Sequence, residues 1–134
     1  MPYEEGMFNK LSAPAGADLS GKQFYGVALV NDVNNPPGVH AVVGTAAKAI
    51  IGVLKNNPLS GQACDIQTTG NTKVAISASQ VITGGTTYLQ LDVGGTFVAS
   101  TTGTVVAQAL ESCPSSTAIH IISAHLMPSN APTA

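Results

Sequence analysis

The clearest alternation of apolar and polar positions lies in YLQLDVGGTFVAS, residues 88–100. Leu89, Leu91 and Val93 alternate with Tyr88, Gln90 and Asp92, the period of two that marks a half-buried strand. Gly94-Gly95 then reads as a two-residue hairpin loop, because paired glycines supply the positive φ angles of a type I′ turn. That register sets Val93 opposite Thr96 and Leu91 opposite Val98. It predicts strands near 87–93 and 96–100, with Leu89, Leu91 and Val98 buried and Phe97 on the other face with Tyr88, Gln90 and Asp92.

The remaining pattern is also strand-like. QFYGVALV (23–30), VHAVVG (39–44), AIIGVL (49–54), TVVAQAL (104–110) and AIHIISAHL (118–126) are short apolar runs separated by breaks such as Asn-Asn-Pro-Pro-Gly (34–38). A helix over 41–54 competes, but Gly44, Gly52 and the β-branched residues count against it. Residues 1–22 show no sustained period and hold Pro2, Gly6, Pro14, Gly16 and Gly21. The pattern therefore predicts an all-β fold, a small β-barrel or sandwich of about eight short strands with an extended N-terminal arm. The expected boundaries are an arm over 1–22, a single β-rich domain over 23–126 and a flexible tail over 127–134. LKNNP (54–58) and LESCP (110–114) echo each other, too weakly to be read as a repeat.

Composition narrows the function. The 134 residues suit one domain with a real core, but aromatics are only 4 % and Trp is absent, so Val, Ile, Leu and Ala must fill it. Charged residues are 9 %, against a typical ~25 %. The five cations are all Lys, and the net charge is −2. Counterion-driven nucleic-acid binding wants clustered cations, so no nucleic-acid partner is expected. A surface poor in charge suits one partly covered by neighbours. MPYEEGMFNK lacks the features of a secretory signal. The apolar stretch 41–54 is too short to span a bilayer and carries Lys48, so no membrane partner is expected.

The candidate chemistry is thin. His120 and His125 are five apart and point to opposite faces of a strand, and with His40 they lack the carboxylates of a metal set. Cys64 and Cys113 are too few for a disulfide scaffold and read as reduced, buried thiols, with one bridge left open. Glu4-Glu5 lie where no walls exist to shift a pKa, and the glycine pairs precede strands rather than phosphate-binding helices. No catalytic residue, metal or cofactor is expected.

AIIGVLKNNPLSGQACDIQTTGNTKV followed by GGTTYLQLDVGGTFVASTTGTVVAQALESCPSSTAIHIIS resembles the capsid cement, or decoration, proteins of tailed bacteriophages. The resemblance spans roughly 40–126. It rests on the order of Gly52-Val53-Leu54-Lys55-Asn56-Asn57-Pro58, Gly61, Gly70, Gly94, Thr102-Gly103-Thr104 and Ala109-Leu110-Glu111. The chain departs from that pattern after Glu111, where Ser-Cys-Pro stands in place of an Ala-rich link. The resemblance implies a non-enzymatic protein on the outer surface of an icosahedral head. It would be assembled in the host cytoplasm, bridge major capsid protein subunits, and often form a homotrimer.

Residues expected at a capsid or subunit interface are Tyr3, Phe8 and Leu11 on the arm, Phe97 on the hairpin, and Ile122 and Leu126 on the last strand. In AIHIISAHL both faces are apolar; the expectation is that Ile119 and Ile121 enter the core and Ile122, Ala124 and Leu126 meet a neighbour. The arm is expected to be disordered in the free protein and to add a strand to a neighbour's sheet. The competing reading is a carbohydrate-binding or host-adhesion module, which would need exposed aromatics, and only Tyr3, Tyr25, Tyr88 and three Phe exist. A thiol or histidine enzyme is a third, separable by the reactivity of the cysteines.

Overall fold

A computed structural model of the chain describes residues 10–32, 38–44, 50–100, 105–114 and 117–126. Ten short strands form: β1 Lys10–Pro14, β2 Gly26–Asp32, β3 Gly38–Val43, β4 Gly52–Leu54, β5 Ala63–Gln67, β6 Gly70–Ile76, β7 Tyr88–Leu91, β8 Phe97–Ala99, β9 Ala107–Ala109 and β10 His120–Leu126. The fold is all-β, as expected, with two strands more than the pattern suggested. The expected arm ends early: β1 starts at Lys10 and pairs along its length with β5, Leu11 opposite Ile66. Leu19 is buried as well. An edge of the protein's own sheet supplies the hydrogen bonds that an arm was expected to find on a neighbour.

The strands make two five-stranded layers. The first has the order β1-β5-β4-β2-β3, and the second is a closed barrel, β10-β6-β8-β7-β9. One parallel bridge, Ala15 to Ala41, with Gly16 N–H donating to Ala41 O at 2.9 Å, draws β1 against β3 and nearly closes the first.

The two are built to one plan. Laying β1–β5 over β6–β10 in order reproduces every neighbour relation, and a single residue correspondence satisfies all the registers. Leu11–Ile66 falls on Thr72–Ala124, and Val27–Val43 on Leu89–Ala99. Gly26–Val53 falls on Tyr88–Gln108, and Leu54–Ile66 on Ala109–Ala124. The parallel bridge Ala15–Ala41 falls on Ile76–Phe97, itself parallel, and Ser77 N–H donates to Phe97 O at 3.0 Å just as Gly16 does to Ala41.

The hairpin from β7 to β8 is one residue longer in its loop than expected. Asp92 and Thr96 still pair, with Asp92 N–H donating to Thr96 O at 2.8 Å, and Gly95 N–H closes a turn onto Asp92 O. Gly95 takes φ 90°. A type I turn ending in a left-handed residue is the usual three-residue hairpin loop. The extra residue shifts the register, so Leu91 faces Phe97 and Gln90 faces Val98. Leu89 and Leu91 are buried as expected, but Val98 is only half-buried and Phe97 is fully buried, because a one-residue slip moves each side chain to the other face.

Each layer encloses its own apolar cluster. Val27, Ala41, Leu54, Cys64, Ile66, Ala15 and Leu19 fill the first. Ile76, Val74, Leu89, Leu91, Phe97, Ile122 and Leu126 lie among the residues that fill the second, and Ile50 and Val53 join them from the first layer. The layers abut where Leu91 reaches Gly26 and Gly44: a Cβ on Gly44 would lie 2.5 Å from Leu91 Cδ1. Gly26 N–H donates to Gly95 O at 2.9 Å and Ala75 N–H to Phe24 O at 3.0 Å across the same seam.

Candidate functional site

The structure redistributes the expected interface residues. Tyr3 and Phe8 lie outside the described residues. Leu11 is half-buried and packs against the first cluster of its own chain. Phe97, Ile122 and Leu126 have no surface to offer a partner, being 0 %, 4 % and 2 % exposed. This corrects their assignment to an interface. For Phe97 the cause is the register slip. For β10 the cause is that period two fixes which residues share a face, but not which face is inward. Ile122, Ala124 and Leu126 line the barrel, and Ile119 and Ile121, expected in the core, are exposed at 47 % and 44 %. The signal available in sequence was the size pattern. The inward set includes the small Ala124, and its β6 partner is Thr72, which suits the tight interior of a small barrel.

Among the described residues the titratable groups do not gather into a catalytic set. His40 is buried, His125 is exposed with Nδ1 2.8 Å from Asn71 Oδ1, and His120 faces inward on β10, so His120 and His125 do lie on opposite faces. Among the described residues no three potential metal-ligating side chains come together. Cys64 and Cys113 are free and buried, and burial pushes both thiols above their ordinary value. That is the opposite of an activated nucleophile. Glu111 and Asp18 are held below the usual carboxylate range by hydrogen bonds, to Ser123 and Ser20 respectively.

A feature that the sequence reading missed is a cleft at the seam between the layers. It has a volume of about 430 Å³ and is lined by Gln23, Phe24, Lys55, Asn71, Thr72, Lys73 and Ser123. Lys55, just past β4, reaches across the seam and donates to Thr72 Oγ1 on β6 at 2.6 Å. Its ammonium also sits 5.3 Å from the centre of the Phe24 ring, within cation–π range. Phe24 holds φ 71°, a strained conformation for an aromatic residue. Its N–H donates to Leu54 O and its carbonyl accepts from Ala75 N–H, so each layer grips one end of the strained peptide. Lys73 enters from β6. Burial, first of all, lowers the Lys55 pKa; Asp65 opposes this, and Lys10 and Lys73 add to it. The lysines are 55 and 73 in the chain, and no local motif joins them.

No family model matches the chain, and no curated protein matches it. Among solved structures, the fold is similar to the N base of head fiber gp8.5 of bacteriophage phi29. The TM-score is 0.66 at 14 % identity, over 90 % of this chain and 95 % of that one. At that identity the likeness is one of fold.

Proposed function

We propose that this chain is a structural protein of a tailed-phage virion. It would bind the outside of the head as a cement protein that bridges major capsid protein subunits, as a homotrimer, without catalysis. The observation that carries the reading is the fold shared with a head fiber base over nearly the whole of both chains. The sequence resemblance to cement proteins points the same way independently. Two buried thiols with raised pKa values support a role without chemistry. Attachment would occur once the head is assembled in the host cytoplasm.

The apolar contact this role needs is offered by β10, where Ile121 is exposed with Ile119 just before the strand. Tyr3 and Phe8 would serve as further anchors. Apolar burial is worth ~25 cal/mol per Å², and repetition over a shell adds avidity.

The test is co-sedimentation of the purified chain with tailed-phage heads assembled without it. Saturable binding and heads that retain their DNA to higher temperature are the expected results. Ile121→Glu should weaken binding without unfolding the barrel. A chain that is folded by circular dichroism and stays in the supernatant at all concentrations would refute the reading.

A further inference from the structure

We propose that the seam cleft is a docking site for a carboxylate side chain on an acidic peptide segment of a protein partner. The cleft concentrates cations in a chain whose net charge is −2 with only five lysines. Lys55 and Lys73 line it, and Lys10 is near enough to act on Lys55. The amides in its wall already make bonds of their own. Gln23 Nε2 donates to Lys55 O at 2.8 Å, Asn57 Nδ2 donates to Gln23 Oε1, and Asn71 Oδ1 is joined to His125. Ser123 N–H is held by Glu111. The formal positive charges among the lining residues are the ammonium groups of Lys55 and Lys73.

An ammonium carries three donors, and the bond to Thr72 uses one of those on Lys55. That bond and the Phe24 ring hold the side chain in place before a guest arrives, so little rotamer entropy is left to lose. Lys55 is partly desolvated, with Asp65 the stronger charged influence on it and the like charges of Lys10 and Lys73 weaker ones. A carboxylate between Lys55 and Lys73 would accept charge-assisted hydrogen bonds from both. The volume of about 430 Å³ admits an Asp or Glu side chain with its neighbouring backbone. A sugar is less suited: among the described residues Phe24 is the one aromatic lining the cleft, and the Lys55 ammonium lies over its ring, which occupies that stacking face.

This inference leans on the capsid reading only for the source of the acidic segment; the chemistry of the cleft is independent of it. The experiment is an NMR titration of the full chain with the peptide acetyl-Gly-Glu-Gly-Glu-Gly-amide. Parallel titrations use its Gln counterpart, trigalacturonate and inorganic phosphate. The expected result is shifts confined to Lys55, Lys73, Thr72 and Ser123 with the Glu peptide, lost with the Gln peptide and at high salt. Lys73→Gln, an exposed change, should weaken binding about fivefold, while Lys22→Gln should leave it unaltered. No shift with the Glu peptide, equal loss in Lys22→Gln, or binding of trigalacturonate or phosphate without the Glu peptide would overturn the proposal. A chain that binds the peptide but not phage heads would sink the capsid reading and leave the cleft standing. One that binds heads but not the peptide would do the reverse.

Discussion

The first layer and the closed barrel share one strand plan but fill it from opposite walls. In the barrel Ile76 on β6 and Phe97 on β8 are large, while Ala109 and Ala124 on β9 and β10 are small, and all four are buried. In the first layer the matching positions are reversed. Ala15 and Ala41 are small, while Leu54 and Ile66 are large. Large and small residues exchange places at these four matched positions, the kind of compensation that a close-packed interior tolerates. A further contrast lies at one shared leucine position. Leu91 is 1 % exposed because the first layer lies over it, and its counterpart Leu29 is 37 % exposed. The closed barrel also borrows Ile50 and Val53. It is therefore the better-packed half, and its stability depends on the seam.

The strongest way to break this comparison is Phe97→Ala. A fully buried Phe truncated to Ala typically costs ~3–5 kcal/mol, read as a lower denaturant midpoint. Adding Ala124→Ile moves bulk to the wall that carries it in the first layer, where Ile66 stands. The double variant should recover ~0.5–3 kcal/mol relative to the sum of the single changes. Strict additivity would show that the two walls do not share one volume.

Next comes the pair at the shared leucine position. Leu91→Ala should cost ~2–5 kcal/mol, since it opens a cavity against Gly26, Gly44 and Ile50. Leu29→Ala, with its side chain already wet, should cost under ~1 kcal/mol. Equal costs would mean that burial at the seam does not separate the halves. Gly44→Ala should be less costly in the Leu91→Ala background, because the removed methyls make room for the new Cβ.

The fold class was legible because alternation and break spacing survive any choice of side chain. Strands β2, β3, β7 and β10 lay where the apolar runs predicted. What was lost follows from two physical causes. First, period two does not report the sign of a face, so β10 was inverted and a one-residue change in a loop moved Phe97 inward. Second, the duplication is a duplication of backbone pairing, which large-for-small exchange erases from the residues. The echo between LKNNP and LESCP was its visible trace, displaced by one residue: the pairings set Leu54 on Ala109, and Leu19 N–H bonds Pro58 O as Ile82 N–H bonds Cys113 O. The seam cleft was illegible because Lys55 and Lys73 meet only through the packing of two layers.

The two thiols give a local reading of the same difference. Cys64 belongs to the first cluster and Cys113 to the second, and both are buried, so labelling requires each half to open. At pH 8, below the ordinary thiol value of 9.0, Cys64 should react faster than Cys113 by about tenfold, which corresponds to ~1.4 kcal/mol of local opening. Leu91→Ala should narrow the gap. Equal rates in the native protein would mean that the whole chain opens as one unit.

The smallest effect concerns acid, and one side chain separates the halves. In the first layer Asn56 Oδ1 accepts Asp65 N–H at 3.0 Å, beside Lys55 N–H donating to Asp65 O. In the barrel the corresponding bond is Glu111 Oε1 accepting Ser123 N–H at 2.6 Å, beside Leu110 N–H donating to Ser123 O. The geometry is the same, but an amide holds one half and a carboxylate the other. The hydrogen bonds keep the Glu111 carboxyl below its ordinary 4.5. A carboxyl whose folded pKa is depressed adds stability above its unfolded value and loses it as pH falls through the folded one. Acid should therefore loosen the barrel at this bond and leave its twin in the first layer intact. Asp18, the other depressed carboxyl among the described residues, lies between β1 and β2 of the first layer, so the measurement is made in an Asp18→Asn background. Lowering pH from 6 to 3 should then raise the labelling rate of Cys113 by an acid-tolerant disulfide reagent more than that of Cys64. Glu111→Gln keeps the accepting oxygen and imitates Asn56, and it should abolish most of that excess. An excess that persists unchanged in Glu111→Gln would show that the acid response of the barrel originates elsewhere.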